Sequence, residues 1–209
     1  MDLQPAIEKT LQGSKKRKFV QSVDILISLK DIDLKKTESK FVEEVVLPNG
    51  RGKDPKIGIF ASAEMAEKAK GLNLTIIPDR DIEKLGKDKR QVRKIVGGHD
   101  FFISEPDFMI RIGKAFGMAM GPKGKMPKPI PPGSDPTIFY ERFRRAIRIK
   151  LREQPMVQAT IGMENMDPQK LAQNADAVLS AVKRRMPNGD DNIRGVFFKT
   201  TMGQLVRVE

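Results

Sequence analysis

The sequence predicts a two-domain protein in which an α+β domain, built from both ends of the chain, is interrupted by an inserted three-layer α/β domain. Strand patterns occur near both ends, with a short helix near the N-terminus and a long one near the C-terminus, whereas the middle third repeats strand and helix three times. Clusters of Pro and Gly or polar residues at 48–55 and 153–155 separate these regions. The expected domains are residues 1–54 with 154–209, and residues 55–153, joined by a two-strand hinge.

The first part of the discontinuous domain is expected to contain one helix and two strands. Apolar residues at helical spacing predict a helix over residues 2–12, and a basic run follows at residues 15–18. Strictly alternating apolar residues predict a half-buried strand over residues 23–29. A second strand is predicted over residues 41–47, before the first breaker cluster.

The middle of the chain predicts a parallel sheet covered by helices, which is a Rossmann-like arrangement. Short apolar stretches, each followed by a helical stretch, predict strands over residues 57–60, 72–77 and 100–104. Residues 117–136 are rich in Gly, Pro, Met and Lys and are predicted to form a loop. A helix over 137–146 is then expected to give way to a strand over 147–152, because the apolar period changes to strict alternation.

The C-terminal part returns to the α+β pattern of the first part. A strand over 156–161 precedes a helix that Asp167 caps and that ends near Met186. Two final strands are predicted over residues 194–200 and 205–208.

Composition excludes several kinds of catalytic and metal site. The 209 residues include no cysteine and one histidine, His99, so thiolate metal sites and histidine clusters are excluded. We therefore expect no metal and no cofactor. No apolar run approaches the roughly 18 residues of a membrane span, and the N-terminus lacks a signal-peptide pattern. A cytoplasmic protein without membrane contact is expected.

The charge favours a polyanionic partner. Lys and Arg number 39 and Asp and Glu number 27, which gives a formal net charge of +12. The basic residues cluster at 15–18, at Lys114, Lys123, Lys125 and Lys128, and at 142–152. Because the chain has no Trp and one Tyr, stacking of several bases on a sheet is not expected. Recognition through phosphate, 2′-OH and shape suits structured RNA.

A nucleotide-using enzyme built on the α/β domain is the alternative. Residues 121–125 invite a phosphate-loop interpretation, but Ala119 and Met126 replace the required Gly and hydroxyl residue. Pro122 also removes a backbone N–H from the loop. Paired aspartates such as Asp31 and Asp33 are typical of polar turns rather than of an acid–base site.

Four stretches together resemble the large-subunit ribosomal protein L1 family in its archaeal form: Lys18–Asp24, Leu47–Lys53, Gly121–Pro127 and Thr201–Gly203. They occur in the family's order, and the resemblance covers nearly the whole chain. It implies a structural protein of the large ribosomal subunit, not an enzyme, that is monomeric when free and resides on cytoplasmic ribosomes. The implied partners are ribosomal RNA of the mobile stalk, deacylated tRNA at the exit site, whose release it assists, and the protein's own mRNA, whose translation it represses.

The resemblance also implies which residues bind RNA: Lys18, Phe19, Ser22, Asp24, Thr201, Met202 and Gly203. Lys123 and Lys125 are expected to make secondary RNA contacts. A lysine such as Lys18 can meet phosphate, and the hydroxyls of Ser22 and Thr201 can bond 2′-OH groups. Asp24 would accept a hydrogen bond from an RNA donor. Phe19 is either an RNA contact or a core residue.

Overall fold

The computed structural model describes residues 2–34, 40–131 and 133–208. The chain divides into two compact units. Unit 1 consists of Met1–Lys53 with Arg145–Glu209, and unit 2 of Asp54–Arg144. Mixed helices and several sheets agree with the predicted two-domain α+β class.

Helices and strands follow one another along the chain. They are α1 (Leu3–Gln12), β1 (Ser22–Leu29), β2 (Phe41–Val46), β3 (Ile57–Ala61), α2 (Ala63–Ala69), β4 (Leu74–Pro78), α3 (Asp79–Lys87), α4 (Lys89–Gly98), β5 (Phe101–Ser104), α5 (Met109–Met120), β6 (Lys128–Pro129), α6 (Pro136–Arg144), β7 (Ala146–Leu151), β8 (Met156–Met163), α7 (Pro168–Arg185), β9 (Ile193–Thr200) and β10 (Val206–Arg207). Within the described ranges, no helix is long and apolar enough to cross a membrane.

Unit 1 is centred on β1, the apolar strand that the alternating pattern predicts. Its sheet has the order β10-β9-β1-β8, and neighbouring strands run antiparallel. Val23, Ile25 and Ile27 are fully buried in a core that α1 and α7 complete with Ile7 and Leu171. The alternate side chains of β1, which begin with Ser22 and Asp24, are half-buried on the other face.

A second, antiparallel pair, β2 with β7, completes unit 1. Its register runs from Phe41 opposite Leu151 to Val46 opposite Ala146. Ile149 of β7 is fully buried in the unit 1 core. Residues 145–153, which the sequence analysis assigned to the insert, are therefore grouped with unit 1, because their strand pairs with β2 rather than with the parallel sheet.

Asn174 is a fully buried polar residue in the middle of α7. Its side-chain oxygen accepts a hydrogen bond from the Asn49 N–H (3.0 Å), and its amide nitrogen donates to the carbonyls of Gly50 and Ile161, both at 2.8 Å. These bonds attach the turn after β2 to α7 and β8. Gly50 adopts a φ of +66°, which a side chain would disfavour.

Unit 2 contains the parallel sheet β4-β3-β5-β6. Its core includes the fully buried Phe60 and Phe116, whose rings pack edge to face with their centroids 5.3 Å apart. Asp88 divides the expected single helix after β4 into two helices, because its carboxylate accepts from the Arg90 N–H (2.8 Å) and caps α4. The side chains of Asp54 and Arg144, at the two ends of unit 2, form an ion pair at 2.8 Å.

The expectation of a loop over residues 117–136 is wrong at two places. Helix α5 continues to Met120, since that side chain is fully buried in the unit 2 core. Lys128 and Pro129 form β6 beside Ile103 and Ser104. The expected helix over 137–146 also ends earlier, at Arg144, because Ala146 already pairs with Val46.

We predict that Asn174→Ala lowers the free energy of unfolding by about 3 kcal/mol, because three backbone groups lose their partner at a buried position. Chemical denaturation of the full-length protein measures this loss. Ser180→Ala, at an exposed position of the same helix, is the control and should change stability by less than about 0.5 kcal/mol. Equal effects of the two substitutions would contradict the assigned role of Asn174.

Candidate nucleic-acid interface

The turn formed by Thr201–Gly203, called here the Thr-Met-Gly turn, is attached to the first residue of β1. The Thr201 N–H donates to the Ser22 carbonyl at 3.0 Å, and the Ser22 N–H donates to the Thr201 hydroxyl at 3.1 Å. The two hydroxyls also share a hydrogen bond of 2.9 Å. Ser22 and Thr201, which are far apart in the sequence, thus present a paired set of hydroxyl groups at one end of the sheet.

Gly203 follows the exposed Met202 and turns the chain tightly. Its N–H donates to the Thr200 carbonyl at 3.1 Å, and a Cβ at this position would collide with the Thr200 hydroxyl. Thr200 is fully buried, and its hydroxyl shares a hydrogen bond with the Ser14 hydroxyl at 3.0 Å. Glycine is therefore required for close packing of the turn on the end of β9.

Gln21, which is only 1 % exposed, connects the Thr-Met-Gly turn to the rest of the site. Its side-chain oxygen accepts from the Met202 N–H at 3.1 Å. The two hydrogens of its amide nitrogen are shared among three acceptors, the Ser14 hydroxyl (2.9 Å), the Lys15 carbonyl (3.1 Å) and the Glu164 carboxylate (3.0 Å). A buried amide with all of its groups bonded orients its partners uniquely.

Glu164, just after β8, holds the backbone of Gln21 as well as its side chain. The second carboxylate oxygen of Glu164 accepts from the Gln21 N–H at 2.9 Å, and the Glu164 N–H donates to the Gln21 carbonyl at 2.9 Å. Gln21 and Glu164 were not among the residues that the sequence analysis selected. The sequence does carry one indication for Gln21. It shares the alternate positions of Val23 and Ile25, which point to the core, but it is polar and so needs hydrogen-bond partners there.

Lys18 and Phe19 lie on an open cavity of about 720 Å³, called here the basic groove, that Glu164 also lines. Phe19 is 51 % exposed and so does not enter the core. Through Glu164 and Gln21, the groove is connected by hydrogen bonds to Met202, which is 61 % exposed. The structure thus joins Lys18 and Phe19 to the Thr-Met-Gly turn.

Asp24 lies next to Ser22 on the half-buried face of β1, between Thr160 of β8 and Lys199 of β9 in the strand register. Its carboxylate accepts from the Thr160 hydroxyl at 2.7 Å. A carboxylate has about four acceptor positions, so this bond leaves capacity for a further donor. Asp24 is therefore oriented by the protein and still able to accept a ligand donor.

Lys123 and Lys125 belong to unit 2, whereas the other expected RNA-binding residues belong to unit 1. The Lys125 ammonium donates to the carbonyls of Val96 and His99 at the end of α4. It thereby serves the stability of that helix end, where cations are favoured. Lys123 is exposed beside the same helix end.

Residues 121–125 end a helix instead of opening one. The Gly124 N–H donates to the Gly121 carbonyl and the Lys125 N–H to the Met120 carbonyl, with Gly124 at a φ of +64°. A phosphate loop instead connects a strand to the start of a helix, where free N–H groups point at the ligand. This geometry speaks against the alternative of a nucleotide-using enzyme.

Comparison with known proteins identifies the family. A model of the Ribosomal protein L1p/L10e family matches residues 10–204. The chain belongs to this family. The matched span contains every residue of the proposed RNA-binding set. The resemblance to ribosomal protein L1 that the motifs indicated is confirmed, and the L1 family consists of structural proteins, not enzymes.

Similar proteins from archaea agree with this assignment. The large ribosomal subunit protein uL1 of Thermococcus kodakarensis is 42 % identical over 207 residues, covering 98 % of this chain and 95 % of its own length. The uL1 protein of Methanothermobacter thermautotrophicus is 39 % identical over 209 residues, covering 99 % and 98 %. That of Archaeoglobus fulgidus is 42 % identical over 205 residues, covering 97 % and 95 %. The archaeal type of the L1 family is thus confirmed.

We predict that Thr201→Val lowers the free energy of unfolding by about 1 kcal/mol, because the exposed Ser22 N–H loses its hydroxyl acceptor. Thermal or chemical denaturation measures the effect. Thr201→Ser keeps the hydroxyl and should stay near the parent protein. If the two variants were equally destabilised, the methyl group of Thr201 and not its hydroxyl would hold the turn.

Proposed function

We propose that this protein is a structural component of the large ribosomal subunit and binds structured ribosomal RNA through unit 1. The observation that carries the proposal is the pair of hydroxyls on Ser22 and Thr201, held by backbone hydrogen bonds next to the exposed Met202. Hydroxyl donors and acceptors in a rigid array suit the 2′-OH groups of RNA. The charge of Lys18 can bind a phosphate. The carboxylate of Asp24 repels phosphate and instead accepts a hydrogen bond from an RNA donor group.

Sequencing of RNA crosslinked to the protein in cell extract tests this function. Enrichment of one helix junction of large-subunit ribosomal RNA is the expected result. Crosslinks spread over all RNA in proportion to abundance would contradict it, because they would indicate contact through charge alone.

Finer roles belong to the same proposal. The bound RNA is the mobile stalk beside the tRNA exit site, where the protein, monomeric when free, assists release of deacylated tRNA. The protein also binds its own mRNA through a similar RNA shape and represses translation. Because one site serves both RNAs, the mRNA segment and the ribosomal junction should compete for the protein in a filter-binding assay. Simultaneous binding of both would contradict the shared site.

Unit 2 is proposed to be an inserted Rossmann-like domain, with the two crossings of the chain between the units acting as a two-strand hinge. Gly50 and Gly52, both at positive φ, precede the first crossing. Unit 2 makes secondary RNA contacts in this proposal. The exposed Lys123 is the first candidate, and the half-buried Lys125 is the second. Exposed charges of this kind raise the association rate more than they raise specificity.

We predict that Lys18→Ala reduces the slope of log affinity against log salt concentration by about 1, since one phosphate contact is lost. Filter binding to the ribosomal junction at several salt concentrations measures the slope. Lys30→Ala, at the opposite end of β1, is the matched control and should leave the slope unchanged. An unchanged slope for Lys18→Ala would remove Lys18 from the phosphate contacts.

We also predict that unit 1 alone folds and keeps RNA specificity. The shortened protein joins Lys53 to Arg145 through a short Gly-Ser bridge, which retains the β2–β7 pair. It should discriminate cognate from mutated RNA as the full chain does, at modestly lower affinity. A junction at Gln154 instead removes β7 and should destabilise the product. A folded shortened protein that binds both RNAs equally would place specificity in unit 2.

A further inference from the structure

The basic groove has room for a nucleobase together with its flanking phosphates, and its lining residues suit such a ligand. Its volume of about 720 Å³ exceeds what one base occupies. Three consecutive cations, Lys16, Arg17 and Lys18, line it, and none has an ion-pair partner among the described residues. Cations without protein partners remain available for the phosphates on either side of a bound base.

The groove also has apolar walls that face water in the free protein. Leu11 lines it from α1, and Phe19 and Val20 are 51 % and 49 % exposed. An exposed phenyl ring in a groove that cations also line is typical of sites where an unpaired base stacks. The three cations and the exposed ring of Phe19 together favour a base with its flanking phosphates over an apolar peptide.

Glu164 is the unusual member of this groove. Besides holding Gln21, its carboxylate lines the groove beside three cations, where its charge disfavours phosphate and favours a ligand group that donates hydrogen bonds. Gln21 occupies one acceptor position on each carboxylate oxygen, at 2.9 and 3.0 Å. Each oxygen retains a further lone pair, and the two bonds hold the carboxylate in one orientation.

We propose that the basic groove binds one unpaired guanine, with Glu164 accepting from its two adjacent N–H donors. Guanine presents N1–H and N2–H side by side on its pairing edge, which matches the two oxygens of one carboxylate. Phe19 stacks on the base, and the cations bind the flanking phosphates. This inference rests on the proposed function, because it names the base that the same RNA interface takes.

Binding of short RNAs to the full-length protein tests the proposal without any folded junction. The probes are hexauridylate RNAs that carry one central guanosine, inosine, adenosine or cytidine. Guanosine should bind about tenfold more tightly than adenosine and cytidine, and inosine, which lacks the N2 amino group, should fall between them. Equal affinity for guanosine and adenosine would overturn the proposal, and this comparison needs no protein variant.

A charge-neutral variant then assigns the preference to Glu164. Glu164→Gln should abolish the preference for guanosine and raise affinity for hexauridylate itself, because a negative charge leaves the groove. Glu153→Gln removes an exposed carboxylate elsewhere in unit 1 and should retain the preference. A preference that persists in a folded Glu164→Gln protein, as judged by thermal denaturation, would overturn the assignment.

These results separate the inference from the function on which it rests. If the parent protein showed no preference for guanosine among the hexamers but still crosslinked to one ribosomal junction, the guanine site alone would be refuted. Absence of a ribosomal junction from the crosslinked RNA would instead refute the proposed function.

Discussion

The buried amide of Gln21 is the interaction on which the candidate interface depends. It accepts from the Thr-Met-Gly turn and donates to the segment after α1 and to Glu164, so three separate segments meet at one side chain. A buried polar group is costly unless all of its hydrogen bonds are made. This cost favours a single arrangement of the turn. The surface proposed to bind RNA is therefore preorganised by a residue that is itself almost inaccessible to solvent.

The sequence was sufficient for most elements, because their patterns are local. The alternation from Val23 to Leu29 and the cap at Asp167 each depend on neighbours in the chain, and both elements are present at nearly the expected bounds. Domain and element boundaries that depend on pairing between distant strands were harder to predict from the sequence. The strand at 146–151 belongs to unit 1 only because of its partner β2, about a hundred residues earlier, and no local pattern specifies that partner.

Residues of the candidate site that belong to sequence motifs could be predicted. Those that are recognised only by their hydrogen bonds in the folded chain could not. Motifs nominated Ser22 and Thr201 but gave no indication that their hydroxyls bond to each other. Glu164 follows a strand in an ordinary polar turn and becomes noticeable only beside Gln21. Lys125 shows the opposite case, since a basic motif residue donates to the carbonyls of Val96 and His99. Net charge alone does not distinguish a lysine that meets RNA from one that completes a helix end.

The ion pair between Asp54 and Arg144 has a consequence for how the chain acquires its structure. Pairing within unit 1 joins residues such as Gln21 and Glu164, which are 143 positions apart, so loop closure opposes it. The strands of unit 2 pair over shorter separations, and its completed fold brings residues 54 and 144 into contact. We therefore expect unit 2 to form first and to shorten the loop that unit 1 must close. Substitutions in unit 2 would then delay formation of the proposed RNA-binding surface in unit 1, to which they contribute no residue.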